Sequence, residues 1–124
     1  MTERAYHCPV EVTLEVIGAR WTPVILAHLK ENDRLRFGQI RRLIPDISEK
    51  MLTQRLRELE RAGIIDRTLV RAAPAQVEYR LTTAGRGLSP VLNAMWDWGR
   101  QRATTMGLTI TPVPADPRPG PATE

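Results

Sequence analysis

Between Asp46 and Gly63 the chain reads DISEKMLTQRLRELERAG, and the polar groups on one helical face of this stretch are Lys50, Thr53, Gln54, Arg57 and Arg61. They supply ammonium, hydroxyl, amide and guanidinium donors, with no carboxylate among them. A face that only had to stay soluble would intersperse both signs. Glutamine offers a donor and an acceptor side by side, and arginine a planar pair of donors, so the set suits flat hydrogen-bonding edges and anionic oxygens. Leu52, Leu56 and Leu59 recur at i, i+4 and i+7 and mark the opposite face as core. A solvated charged helix is the alternative reading, and Arg55, Glu58 and Glu60, which fall off the donor face, fit it.

Cys8 is the second group with reactive potential. Pro9 marks a helix start there, and the positive end of a helix favours the thiolate, with Arg4 adding positive charge nearby. The competing role is a partly buried cysteine that packs between protomers. As the one cysteine of the chain, it cannot close an internal disulfide or join a multi-cysteine zinc site. Any response to oxidants would need an intersubunit bond or a small-molecule adduct. His7 and His28 are the histidines, and His7 beside Cys8 makes a poor metal site. No metal or other cofactor is expected. A Gly-rich phosphate loop, paired metal ligands and a nucleophile with a nearby base are all missing, which argues against an enzyme.

The 124 residues suffice for one small domain with a single core, and 42% hydrophobic content places the chain with globular proteins. A net charge of +4 and a pI near 10.0 suit an acidic partner, although charge alone is weak evidence. Arginine supplies nearly all the positive charge, lysine occurring only as Lys30 and Lys50. No apolar run reaches the length of a membrane span and no secretion signal opens the chain, so a cytoplasmic location without membrane association is expected.

The elements that must position these groups follow from periodicity. Val10, Leu14 and Ile17 predict a helix from Pro9 to Gly18. "WTPVILAHL", Trp21 to Leu29, predicts a second helix, apolar nearly all round and hence the buried centre. "ENDR" is a turn, and "RFGQIRRLI" a short helix with Phe37, Ile40 and Ile44 inward, stopped by Pro45. Ser48 then caps the donor-bearing helix and Gly63 ends it, although Asp46 with Glu49 is an alternative capping pair.

Past Gly63 the period changes from helical to alternating. "IIDRTLV" and "VEYRL" predict a hairpin with Ile65, Arg67 and Leu69 on one face and Val77, Tyr79 and Leu81 together on its partner; "RAAPAQ" is its protruding basic tip. Helical spacing returns in "TTAGRGLSPVLNAMWDWG" through Leu88, Val91, Leu92 and Met95. Pro90 either kinks this helix or opens a second one capped by Ser89, the latter being preferred. Trp96 and Trp98 cannot share one direction, so one is expected in the core and the other against a partner. Residues 1–110 form the domain on this reading. From Thr111 the Pro-rich stretch reads as a disordered tail.

The resulting fold class is mainly α with a small β-hairpin wing (α+β), a winged helix-turn-helix that dimerises through its terminal helices. A short helix and a longer one joined around "PDI" place the longer helix in a DNA major groove. Ser48 then meets a phosphate at the helix N-terminus. Lys50, Thr53, Gln54 and Arg57 face the groove, where glutamine can pair with adenine and arginine with guanine for about 1–3 kcal/mol of discrimination each. Arg41, Arg42 and Arg71 flank the groove and hold phosphates.

"CPVEVTLEVIGARWTPVILAHL", "RFGQIRRLIPDISEKMLTQRLRELERAGIIDR" and "VEYRLTTAGRGLSPVLNAMWDWG" resemble the HxlR-type winged helix-turn-helix family of bacterial transcriptional regulators, which is MarR-like. The match covers about residues 7–99, and its most specific parts are "IS-K-LT-RL-ELE-AG" and "VEY-LT--G". The resemblance implies a homodimer on a two-fold-related DNA operator, with the wing adding contacts; a repressor is the role expected of it. It also implies a thiol response at Cys8, because members similar to thiol sensors carry a cysteine before the matching proline and respond to electrophiles or oxidants. The alternative is a winged-helix protein-interaction module without DNA binding, against which the donor face counts: interface centres tend to lose lysine and gain aromatics.

Overall fold

Pro9 opens helix α1 (Pro9–Ile17), with Cys8 at its N-cap and Gly18 at its C-cap. The computed structural model describes residues 5–111; Arg4 and the expected tail, Thr111 apart, lie outside the described residues. Of the apolar set on α1, Ile17 alone is buried, while Val10 and Leu14 are exposed. Helix α2 (Thr22–Glu31) starts one residue later than its periodicity indicates, because Trp21 adopts a left-handed conformation at the N-cap (φ 78°). Such a conformation costs a non-glycine residue roughly 1–2 kcal/mol. The Arg20 guanidinium lies 4.8 Å from the centroid of the Trp21 ring, a cation–π contact at the same corner. Ile25, Leu26 and Leu29 are buried, but Val24 is 43% exposed, so α2 is central on one side rather than all round.

Strand β1 (Leu35–Arg36) leads into helix α3 (Phe37–Leu43), and helix α4 (Glu49–Arg61) follows. The buried Gln39 side chain accepts from the Arg36 backbone N–H at 2.8 Å and so fixes the start of α3. Ile40 and Ile44 are buried, with Phe37 partly buried against them. Ser48 caps α4, its hydroxyl accepting from the Met51 N–H at 3.0 Å, which decides against the Asp46 alternative. Leu52, Leu56 and Leu59 are buried in the shared core. Gly63, at φ 76°, turns the chain out of the helix into the hairpin.

Strands β2 (Ile65–Ala72) and β3 (Ala75–Leu81) pair antiparallel, with Ile65 opposite Leu81, Arg67 opposite Tyr79 and Leu69 opposite Val77. These residues therefore share a face as their alternation indicates, but burial fades along it. Ile65, Leu81 and Tyr79 are buried, whereas Leu69 is 57% exposed. The hairpin outruns the helices that cover its base, and the strands extend to within two residues of each other at the Ala73–Pro74 tip. β1 joins the other edge of β3, through Leu35 opposite Tyr79, giving the sheet order β1-β3-β2. The third strand is a finding beyond the expected hairpin, since two residues carry no readable alternation.

The junction between α4 and the wing explains the "LT--G" spacing. Thr82 donates its hydroxyl to the Gly63 carbonyl at 2.7 Å and accepts from the Gly85 N–H at 3.0 Å, capping helix α5 (Thr83–Arg86). A Cβ on Gly85 would lie 2.2 Å from the Ile64 carbonyl oxygen, so only glycine allows this approach. Helix α6 (Ser89–Met106) then opens as a separate element with Pro90 in its first turn. Its N-cap is Leu88 rather than Ser89, without a side-chain cap bond. α6 packs on the core through Leu92, with Val91 partly buried and Met95 exposed.

Candidate nucleic-acid interface

The buried leucines of α4 fix the roll of that helix, and the consequence is an outward groove of about 490 Å³ lined by Lys50, Thr53, Gln54, Arg57 and Arg61. All five donor residues therefore converge. Lys50, Gln54, Arg57 and Arg61 are exposed and Thr53 is half-buried. Ser48 stands at the N-terminal end, where its hydroxyl is engaged in capping. The helix-end N–H groups remain to attract an anionic oxygen.

Two carboxylates also line this groove, Glu49 and Glu58, which corrects the expectation of an acid-free face. Glu49 lies 3.4 Å from the Arg41 guanidinium. Glu58 accepts from Arg55 at 3.0 and 3.2 Å and from the Gln54 amide at 3.2 Å. Arg55 itself points away from the groove and donates through Nε to the Arg20 carbonyl at 3.0 Å. It ties α4 to the corner between α1 and α2, as its position off the donor face indicates.

The flanking arginines divide. Arg42 is exposed and shares a second groove, about 480 Å³, with Arg36 of β1 and Arg67 of β2. Arg71 is exposed near the wing tip, beside an irregularity in the β2–β3 ladder between Leu69 and Arg71. Arg41 departs from the expected phosphate-holding geometry. It is half-buried, with Nη2 donating to the Ile47 carbonyl at 3.2 Å, so it braces the turn between α3 and α4.

Arg36 and Arg67 are the cationic groups that sequence reasoning passed over. Arg67 shares a face with Ile65 and Leu69, as the alternation indicates, and stays exposed beside α4 because burial fades along the hairpin. It lines a further groove with Thr53, Arg57, Glu60 and Tyr79, which joins the wing to α4. Arg36 offered no signal beyond charge, since its strand is too short to predict.

Cys8 is exposed at the N-cap of α1. His7 beside it donates its backbone N–H to Glu11, and its imidazole Nδ1 lies 3.2 Å from the same carboxylate. Among the described residues, no group of three or more His, Cys, Asp or Glu side chains could hold a metal ion. Likewise, no helix is long and apolar enough to cross a membrane. Trp96 and Trp98 are 65% and 66% exposed, which overturns the expectation that one fills the core. Val10, Leu14, Met106, Leu108 and Ile110 are further large apolar residues at the surface.

Comparison with known proteins agrees with this geometry. YdeP, an HTH-type transcriptional regulator of Bacillus subtilis (strain 168), is 48% identical over 94 residues, covering 76% of this chain and 73% of that protein. The redox regulator HypR, solved in its oxidised form, superposes with a TM-score of 0.71 at 44% identity, over 76% of this chain and 96% of that one. The reduced form of the transcriptional regulator YodB from B. subtilis gives a TM-score of 0.66 at 37% identity, over 77% and 94% of the two chains. Residues 16–106 match the HxlR-like helix-turn-helix family. With its donor-lined helix backed by a buried leucine face and flanked by a wing, the chain belongs to that family, whose members are transcriptional regulators rather than enzymes.

Proposed function

We propose that the protein is a dimeric, sequence-specific DNA-binding repressor whose reading helix is α4. The observation that carries this reading is the convergence of Lys50, Thr53, Gln54 and Arg57 on one groove whose floor is set by Leu52, Leu56 and Leu59. Gln54 and Arg57 present paired hydrogen-bonding groups to base edges, and Lys50 and Thr53 add contacts along the same wall. Ser48, by capping α4, orients the helix-end N–H groups toward a phosphate. Arg42 and Arg71 hold flanking phosphates, joined by Arg36 and Arg67, and Arg41 acts through the angle between α3 and α4. The exposure of Val10, Leu14 and the two tryptophans supports a dimer closed by α1 and α6, which would place two copies of α4 on a two-fold-related operator.

A thiol response at Cys8 completes the proposal. Its support is the exposed thiol at the head of α1, next to the proposed dimer surface, together with the likeness to HypR, which is a redox regulator. Oxidation to an intersubunit disulfide, or adduct formation with an electrophile, would alter the packing of α1 across the dimer. Footprinting across the promoter beside the protein's own gene, with and without a thiol reagent, tests both parts. Protection of an inverted repeat that the reagent abolishes in the wild type but not in Cys8→Ser is the expected result. Equal response in both proteins removes Cys8 from the mechanism, and absence of protection at low salt removes the DNA assignment.

A further inference from the structure

Glu58 is an acid on the wall of a groove meant for a polyanion. Left alone there, a carboxylate would repel phosphate and raise the cost of binding. Its surroundings give it another part. Arg55 donates to both Glu58 oxygens, at 3.0 and 3.2 Å, and is itself anchored through Nε to the Arg20 carbonyl at 3.0 Å. The Arg55 side chain is only 14% exposed, so the pair is shielded on the protein side and its charge is compensated in place. The Glu58 Oε2 that accepts from Arg55 also accepts from the Gln54 amide nitrogen, at 3.2 Å.

We propose that Glu58 is a positioning residue for base recognition, holding the Gln54 amide in the one orientation that reads a base edge. The inference rests on the assignment of Gln54 to the groove. An ionised carboxylate is acceptor-only, so it selects the amide rotamer with Nε2 turned toward Glu58. Oε1 and the second N–H are then left pointing outward, which is the acceptor–donor pair that the adenine N6/N7 edge requires. A free glutamine on an exposed helix face would lose side-chain rotamer freedom on binding; one already held in place loses less of it, and its flipped amide is disfavoured. The chain of contacts from Arg20 through Arg55 to Glu58 gives this orientation a rigid reference in the corner between α1 and α2.

The experiment compares the wild type with Gln54→Ala, Glu58→Ala, Glu58→Gln and the Gln54→Ala/Glu58→Ala double variant. Base preferences come from selection on a randomised double-stranded DNA pool, affinities from titration on selected and mismatched sites, and folding from thermal melts. Gln54→Ala should relax preference at one position per half-site, and Glu58→Ala should relax the same position by about five- to tenfold. Affinity for unrelated DNA should hold or rise in Glu58→Ala, since a negative charge has left the groove. The double variant should lose no more discrimination at that position than Gln54→Ala alone. Glu58→Gln, which keeps a carbonyl oxygen facing Gln54, should lie closer to wild type than Glu58→Ala. The inference is overturned if Gln54→Ala relaxes a position that Glu58→Ala leaves sharp, or if Glu58→Ala weakens all sequences equally in step with a lowered melting temperature. Unchanged preferences in Gln54→Ala would overturn the groove assignment itself, and the inference with it.

Discussion

The outward face of α4 and the outward surface of α1 and α6 are both exposed in the single chain, yet they differ in what they ask of their surroundings. The α4 face is polar, mostly donors with Glu49 and Glu58 among them, and water satisfies it, so it is stable while empty. Helices α1 and α6 instead expose Val10, Leu14, Trp96 and Trp98, apolar groups that water does not satisfy. The first can exchange its partner reversibly; the second calls for a cover that stays. On the proposed function, a dimer that leaves its DNA while keeping its assembly would use this asymmetry, with polar contacts on the side that releases and apolar contacts on the side that holds.

The sharpest way to break the comparison is at the apolar side. Trp96→Ala with Trp98→Ala should raise the dimer dissociation constant by on the order of a hundredfold or more, since tryptophan hot spots are worth about 2 kcal/mol each. Sedimentation velocity across a concentration series reads this directly; an unchanged monomer–dimer equilibrium would place the interface elsewhere.

The polar side divides into two kinds of contact. Arg57→Ala should cost about 1–3 kcal/mol of discrimination at one base position. Arg71→Ala should weaken binding to all sequences and lower the salt slope by about one. Titrations at several salt concentrations on matched and mismatched DNA separate them, and interchangeable behaviour of the two variants would erase the distinction between reading and holding.

Smaller effects test the scaffold beneath each face. Ser48→Ala removes the cap of α4 and should lower stability by about 1 kcal/mol in chemical denaturation. Beneath the apolar side, burial pushes the His28 imidazole below its ordinary value of 6.5, while the nearby Glu31 carboxylate pulls it back up. His28 lines a groove with Leu92, Asn93 and Trp96. On acidification the unfolded chain takes up this proton first, so stability falls as pH drops through about 6.5 and levels off below the depressed folded value. Melting temperatures from pH 7.5 to 5 should decline less steeply in His28→Gln than in the wild type; parallel curves would remove His28 from the acid response.

Much of the architecture was legible because periodicity and punctuation act locally. Ser48, Gly63, Pro45 and the leucines of α4 define that helix from within their own segment, and they carry the donor face with them. Which hairpin residues share a face was legible for the same reason, through the alternation of Ile65, Leu69, Val77 and Leu81, but the six-residue loop RAAPAQ was not borne out, since the strands run on to Ala72 and from Ala75. What failed were statements about burial. Helix α2 was expected to be buried nearly all round and one of the two tryptophans to fill the core, but Val24, Trp96 and Trp98 are exposed, because a period shows which residues share a face and not whether another element covers it. Glu58 was set aside because helical spacing does not show that Arg55 would turn its carboxylate toward Gln54.

The amino-acid sequence by itself determined the order of helices, the hairpin and the residues that share its faces, and the set of donors along α4, since each depends on contacts a few residues apart. The tertiary structure alone decided which surfaces stay open, how Arg36 and Arg67 come to line grooves shared with the helices, and how Arg41 and Arg55 become braces. It also decided that Thr82 and Gly85 lock the wing to the end of α4. Those outcomes depend on the closeness of residues far apart in the chain, and no local period encodes such distances.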